Sequence, residues 1–158
     1  MPERFPAAAA LLREAIAAGA FPAAAVEVGR ADEAIWRDAT GRLTHDNASQ
    51  PVDRETIFDL ASLTKVIATT TLVMRAVDDA QLRLDDPVSR WLRDWKGADR
   101  AGVTIRDLLA HASGLTAYLP FFRDYTGRVE FEHAICSLPL EYPPRSQSIY
   151  SDLGFMLL

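Results

Sequence analysis

A serine and a lysine three residues apart, Ser62 and Lys65, give this sequence its clearest route to covalent chemistry. Positions i and i+3 share one face of a helix, so the two side chains can meet. A serine hydroxyl is a weak nucleophile and needs a base within hydrogen-bonding distance. Lysine serves as that base only where burial lowers its pKa, whereas arginine stays protonated. Lysine is rare among the 17 basic residues of the chain, which favours a chemical reason for Lys65.

Tyr150 is the second candidate, in the run Tyr150-Ser151-Asp152. A phenol held beside a lysine ammonium loses its proton more easily and can act as an acid or a base. Structural interpretations of both motifs stay open. The serines are good helix N-caps, Lys65 can be a solvated residue of a first helical turn, and Tyr150 can be a buried aromatic.

Other combinations of reactive residues do not predict a site. The run His111-Ala112-Ser113-Gly114-Leu115 lacks the first glycine of the Gly-x-Ser-x-Gly nucleophile elbow. His111 is more simply predicted to be a residue at the end of a helix. His45, His111 and His133 lack the spacing of zinc ligands. The single cysteine, Cys136, is predicted to be a small core residue. The sequence therefore predicts no metal and no cofactor.

Composition narrows the class of protein. The 158 residues are 49% hydrophobic and 25% charged, with a net charge of −5, which predicts one globular domain with a core. The acidic balance argues against a nucleic-acid partner, and no apolar run is long enough for a membrane span. The N-terminus does not resemble a signal peptide. This favours the cytoplasm, although export to the periplasm or the medium stays open.

Hydrophobic periodicity and turn residues predict a helix and a hairpin, followed by a mostly helical region. The helix at 62–79 is apolar on most of its faces, so we expect it to be central. Thr104 and Asp107 have the spacing of a capping box. The predicted helices are 5–20, 62–79, 88–92, 105–111, 129–137 and one from 151, and the predicted strands are 23–28 and 33–39.

Several segments together resemble the serine β-lactamase and penicillin-binding-protein-like hydrolases. The resemblance is to the branch of class C β-lactamases, D-alanyl-D-alanine peptidases and related esterases, which carry a Ser-x-x-Lys motif. It covers nearly the whole chain. The segments that match, in the order of the family, are Phe21–Val26, Phe58–Lys65, Leu82–Val88, Val103–Leu115 and Tyr150–Phe155.

The resemblance implies a fold and a set of roles. The fold would be α/β of the α+β type, β-lactamase/transpeptidase-like, with an antiparallel sheet and N-terminal helix at 1–50 and an all-helical region at 51–158 of one domain. Ser62 would be the acylated nucleophile, and its backbone N–H would form half of an oxyanion hole. Lys65 would take its proton or tune its partners, Tyr150 would be the general acid and base, and Asp152 would contact substrate. The substrate would be a small ester, β-lactam or peptide.

Two departures from the family pattern qualify these expectations. The second motif usually ends in Asn, which can donate a hydrogen bond to a substrate carbonyl, while an ionised Asp152 cannot. This favours an esterase or peptidase-like hydrolase over a β-lactamase. The third motif, a Lys/His-x-Gly strand, is not found before Leu158. The C-terminal strands are therefore expected to be missing, and the 158 residues alone to be nearly inactive. A non-catalytic homologue or an inactive truncated fragment stays the alternative, and the sequence leaves the oligomeric state open.

Overall fold

The structure is a computed structural model that describes residues 4–158, and it divides into two compact units that meet in sequence between Asp59 and Leu60. The predicted division between a sheet part and a helical part was at residue 50, nine residues earlier. That both parts belong to one domain stays a prediction.

The first unit holds a helix and a β-hairpin. Helix α1, Pro6–Ala17, begins with proline at its first turn, where the missing N–H costs no hydrogen bond. It ends three residues before the predicted Ala20, because Gly19 takes a left-handed backbone with φ of +74°. The strands that follow are β1, Ala23–Arg30, and β2, Glu33–Gly41.

The two strands pair antiparallel, as the sequence predicts. The register runs from Ala23 opposite Gly41 to Arg30 opposite Glu33, with a bulge after Val28. Gly41 has φ of +99°, and a Cβ atom there would lie 2.2 Å from the carbonyl oxygen of Pro22. Glycine is therefore required where the hairpin closes against the start of β1.

The second unit is built from short helices and loops. A π-helix, Lys65–Thr70, continues into helix α2, Thr71–Asp78. The later α-helices are α3, Ile105–Leu109; α4, Arg128–Ser137; and α5, Asp152–Leu157. Single 3₁₀ turns lie at Val88–Arg90 and Phe121–Arg123. Along residues 4–158 no helix is long and apolar enough to cross a membrane.

The core of the second unit lies between α3, α4, α5 and the segment that precedes α3. Cys136 is buried there, as the sequence predicts, and so is Trp95. Trp91 is 46% exposed beside the guanidinium of Arg90. The buried side chains of this core are Val88, Leu92, Trp95, Val103, Leu108, Leu115, Phe121, Ala134, Ile135, Cys136 and Leu153.

The prediction that the helix after Ser62 would be central is wrong for this structure. Val73 is the one residue of α2 that is buried, and Leu72 is 66% exposed. Val66 and Ile67 of the π-helix are also exposed. The apolar pattern indicates a helix whose side chains favour burial. It does not identify the part of the protein that packs against each face of that helix.

Two predicted helix starts are present. Thr104 accepts a hydrogen bond from the backbone N–H of Asp107, whose carboxylate accepts from the N–H of Thr104, so the predicted capping box is confirmed. Ser151 caps α5 by accepting from the N–H of Gly154. The hydroxyl of Ser151 also donates to the carbonyl oxygen of Thr116 at 2.7 Å, which ties the start of α5 to the loop after α3.

Candidate active site

Ser62 lies at the start of a helical turn, where the sequence predicts it. The residue before it, Ala61, has φ of +43°, a left-handed conformation that costs a non-glycine residue about 1 kcal/mol. The N–H of Lys65 then bonds to the carbonyl oxygen of Ser62 at 3.1 Å. This sharp entry leaves the side chain of Ser62 exposed on the same face as Lys65. Backbone strain of this kind is often found beside reactive groups.

The helix that carries Lys65 is π-helical at first, where the sequence predicts an α-helix. Two threonine hydroxyls donate to carbonyl oxygens five residues earlier, Thr70 to Lys65 at 2.9 Å and Thr71 to Val66 at 3.2 Å. That spacing matches the hydrogen bonds of a π-helix and supports its wider turn. The chain returns to an α-helix at Thr71.

The ammonium of Lys65 joins the two sequence motifs. Its Nζ atom lies 2.6 Å from Oδ1 of Asp152 and 3.4 Å from the hydroxyl of Ser62. It also lies 5.0 Å from the centre of the Tyr150 ring. The structure thus brings together all four predicted site residues, which are 90 positions apart in sequence at their extremes.

The electrostatics of Lys65 favour a role as a charge over a role as a base. Burial lowers the pKa of Lys65, but its contacts with Asp152 and Tyr150 outweigh that effect, and the net pKa is raised above the ordinary 10.5. Lys65 is therefore an ammonium ion at neutral pH. A lysine base needs a pKa lowered by burial, and Lys65 does not meet that condition in this structure, which leaves the role of tuning its partners.

Tyr150 is the group that these contacts activate. Hydrogen bonding to Lys65, then to Ser62, lowers the pKa of the Tyr150 phenol below its ordinary value of 10.0. The phenolate that forms is stabilised by the neighbouring ammonium. A deprotonated Tyr150 can accept a proton from Ser62, which makes it the better base of the two candidates.

Asp152 contacts Lys65 and lines an open cavity with Ser62 and Lys65. Its Oδ1 atom is buried, and among the described residues it accepts no hydrogen bond of good geometry. The ion pair with Lys65 compensates its charge. The backbone N–H of Asp152 donates to the carbonyl oxygen of Ala117 at 2.9 Å. The predicted contact between Asp152 and substrate stays a prediction.

His111 belongs to this site, and the sequence analysis missed it. It lies beyond the end of α3 with φ of +55°, and its Nδ1 atom accepts the N–H of Ser151 at 3.0 Å. Its ring packs on Tyr150 and Phe155, with centres 4.7 and 4.9 Å apart. A histidine and a tyrosine motif 40 residues apart give no local sequence signal, so the folded chain was needed to find this contact.

An open cavity of about 570 Å³ lies in front of Ser62 within the second unit. Its walls are largely apolar, and its polar groups are those of the site just described. No group of three His, Cys, Asp or Glu side chains in residues 4–158 is arranged to hold a metal ion. The residues that line the cavity are Leu60, Ser62, Leu63, Lys65, Val66, Thr70, Leu109, His111, Tyr150 and Phe155.

A family model described as Beta-lactamase matches residues 8–158. The chain belongs to the beta-lactamase family. It is 30% identical over 174 aligned positions to an N-acetylmuramyl-L-alanine amidase of Bacillus subtilis (strain 168). That alignment covers 94% of the chain and 38% of the amidase. It is 41% identical over 96 aligned positions to esterase EstB of Burkholderia gladioli. That alignment covers 58% of the chain and 24% of the esterase.

The solved structures confirm the predicted β-lactamase-like fold. The chain superimposes on EstCE1, a hydrolase with promiscuous acyltransferase activity, with a TM-score of 0.78 and 28% identity. That match covers 94% of the chain and 44% of EstCE1. The chain therefore spans less than half the length of each of these three relatives.

Replacing Lys65 by Met tests the electrostatic link between Lys65 and Tyr150. Methionine keeps an unbranched side chain but has no charge to stabilise the phenolate. We expect Lys65→Met to raise the pKa of Tyr150 toward about 10, the ordinary value of a tyrosine. Ultraviolet difference titration of the phenol, with Tyr150→Phe subtracted to isolate one tyrosine, measures this pKa.

The matched control is Lys96→Met, which removes the charge of an exposed lysine of the second unit. It should leave the pKa of Tyr150 unchanged. Equal effects of the two substitutions would contradict the assignment of the lowered pKa to Lys65.

Proposed function

We propose that this chain carries the nucleophile half of a serine hydrolase that acts on an ester or amide through an acyl-enzyme. The observation that carries the proposal is the position of the Lys65 ammonium, in contact with Ser62, Asp152 and Tyr150. Its proton is held by an ion pair, so the lysine supplies charge while the tyrosine exchanges protons. The hydrolase and esterase relatives support the same chemistry.

Acylation would begin with Tyr150 in its phenolate form. Its oxygen accepts the proton of the Ser62 hydroxyl while the serine oxygen attacks the carbonyl carbon of the substrate. The carbonyl oxygen takes up negative charge, which the backbone N–H of Ser62 would help to stabilise as one oxyanion donor. Tyr150 then returns the proton to the leaving alcohol or amine as the tetrahedral intermediate collapses.

Deacylation would reverse these proton transfers with water as the nucleophile. Tyr150, again a phenolate, accepts a proton from water as the water oxygen attacks the acyl carbon. The proton returns to Ser62 when the ester bond to the enzyme breaks. Through both steps Lys65 stays an ammonium ion, which favours the phenolate whenever Tyr150 gives up its proton.

An ester is the substrate class that the site supports best. Asp152 is held by Lys65 and, when ionised, has no proton to donate to the amide oxygen of a β-lactam or peptide. The largely apolar cavity beside Ser62 suits a hydrocarbon acyl or alcohol group. Similarity to esterase EstB and to EstCE1 supports this class.

A non-catalytic homologue that keeps the fold is the rival proposal. Such a protein has no need to keep a nucleophile, a cation and a phenol in contact. Ser62, Lys65 and Tyr150 are all present and are brought together, which supports the enzyme over this rival.

Covalent labelling tests the nucleophile. A fluorophosphonate probe should modify Ser62, and Ser62→Ala should abolish labelling because alanine has no oxygen to form the bond. Intact-protein and peptide mass spectrometry would locate the adduct. The measurement is made on the 158-residue chain and on the longer product if its gene continues beyond Leu158.

Ser89→Ala is the matched control, because Ser89 is an exposed serine of the same unit. It should label as strongly as the parent protein. Undiminished labelling of Ser62→Ala would sink the assignment of the nucleophile, whichever product is used.

Asp152→Asn tests the proposed preference for esters. Asparagine has an N–H that can reach an amide carbonyl, so turnover of a chromogenic cephalosporin should improve relative to a p-nitrophenyl ester. One added hydrogen bond of about 1.4 kcal/mol predicts a change of roughly tenfold in the ratio of the two kcat/KM values.

Asp78→Asn, at an exposed position, is the control and should leave the ratio unchanged. If Asp152→Asn left the ratio unchanged or moved it toward the ester, the role given to Asp152 in substrate preference would be wrong.

A further inference from the structure

His111 contacts the Tyr150 segment at three points. Its carbonyl oxygen accepts the N–H of Ile149 at 3.0 Å, and its Nδ1 atom accepts the N–H of Ser151 at 3.0 Å. Its ring packs on the ring of Tyr150 between these two hydrogen bonds. The residues directly before and after Tyr150 are therefore both bonded to one histidine, which restricts the backbone that carries the phenol.

The backbone of His111 is itself fixed in an unusual conformation. Its φ of +55° is left-handed, and it turns the chain at the end of α3 so that carbonyl and side chain face the same segment. The N–H of His111 donates to the carbonyl oxygen of Leu108 at 3.1 Å. The hydroxyl of Tyr142 donates to the carbonyl oxygen of His111 at 3.4 Å. These contacts hold the residue without any help from substrate.

We propose that His111, as a neutral imidazole with its proton on Nε2, is a positioning residue that holds the Tyr150 phenol beside Lys65 and Ser62. The proposal rests on the function proposed above and adds a residue to that site. A backbone N–H can only donate, so the Nδ1 atom that receives the N–H of Ser151 must be unprotonated. The tautomer follows from that one contact.

The surrounding charges favour the neutral ring. Three groups face the His111 ring: Lys65 from the π-helix, Asp152 from the start of α5, and Tyr150 from just before α5. The hydroxyl of Tyr142 contacts the carbonyl group of His111. Burial, and then the charge of Lys65, lower the pKa of His111 below its ordinary 6.5 and outweigh the opposing effects of the Ser151 backbone contact and of Asp152. A protonated ring would add a second cation beside Lys65 and would lose the acceptor for Ser151.

Phe155 completes the arrangement. The His111 ring packs on both Tyr150 and Phe155, and the ammonium of Lys65 lies 5.0 and 5.9 Å from the centres of the same two rings. The phenol of Tyr150 is thus placed by a histidine and a lysine that share two aromatic neighbours. Moving the histidine ring would change the distance between Tyr150 and Lys65, on which the lowered pKa of Tyr150 depends.

Two substitutions separate the acceptor from the ring. His111→Asn puts an amide oxygen near the place of Nδ1, tolerates the left-handed backbone, and removes the ring. His111→Phe keeps an aromatic ring but leaves the N–H of Ser151 without its acceptor. The readouts are the pKa of Tyr150, by difference titration, and the rate constant for probe labelling of Ser62.

We expect His111→Phe to raise the pKa of Tyr150 toward 10 and to slow labelling by about tenfold or more, because a buried donor loses its partner. His111→Asn should restore most of both quantities. His133→Asn, at an exposed histidine of the same unit, is the control and should change neither. Equal losses in the Asn and Phe variants, or a Phe variant with the parent pKa and rate, would overturn the proposal.

A measurement on the unsubstituted protein covers the case in which His111→Phe does not fold. Nitrogen-15 NMR of the histidine rings at neutral pH should find Nδ1 of His111 unprotonated and Nε2 protonated. A proton on Nδ1 would overturn the proposal. Neither the tautomer nor the pKa of Tyr150 depends on Ser62 being a nucleophile. Failure of the labelling test therefore stays distinguishable from failure of this inference.

Discussion

The ion pair between Lys65 and Asp152 is the interaction on which the rest of the site depends. It joins the π-helix that follows Ser62 to the first residue of α5, two elements that are far apart in sequence. It also contributes to the raised pKa of Lys65, because the contacts with Asp152 and Tyr150 outweigh the effect of burial. In the function proposed above, the lysine is a fixed cation and proton transfer is the role of the Tyr150 phenol.

The location of Tyr150 follows from how α5 is held at its start. Ser151 caps the helix and bonds to the loop after α3, while His111 accepts the N–H of the same serine. The residue between Ile149 and Ser151 then has little freedom, and its ring lies beside Lys65. Ser151 is therefore the helix cap that the sequence allows, and it also holds the backbone next to Tyr150.

The sequence predicted local features well and distant contacts poorly. The hairpin, the capping box at Thr104 and the pairing of Ser62 with Lys65 depend on residues a few positions apart, whose spacing is visible in the chain. The direction of the Lys65 pKa could not be predicted from local spacing, because it depends on a carboxylate 87 positions away. His111 was missed for the same reason. Periodicity also could not show that the helix after Ser62 has exposed apolar faces.

If Tyr150 is the base and Lys65 a fixed cation, the pH dependence of Ser62 acylation follows the ionisation of the phenol. The labelling rate should rise with pH through a pKa below 10, as the Tyr150 phenol ionises. In Tyr150→Phe that rise should vanish, and the rate should fall roughly 10²–10⁴-fold. Tyr118→Phe, at an exposed tyrosine, should behave like the parent. A rise centred above 10.5 that survives in Tyr150→Phe would identify Lys65, and not Tyr150, as the base.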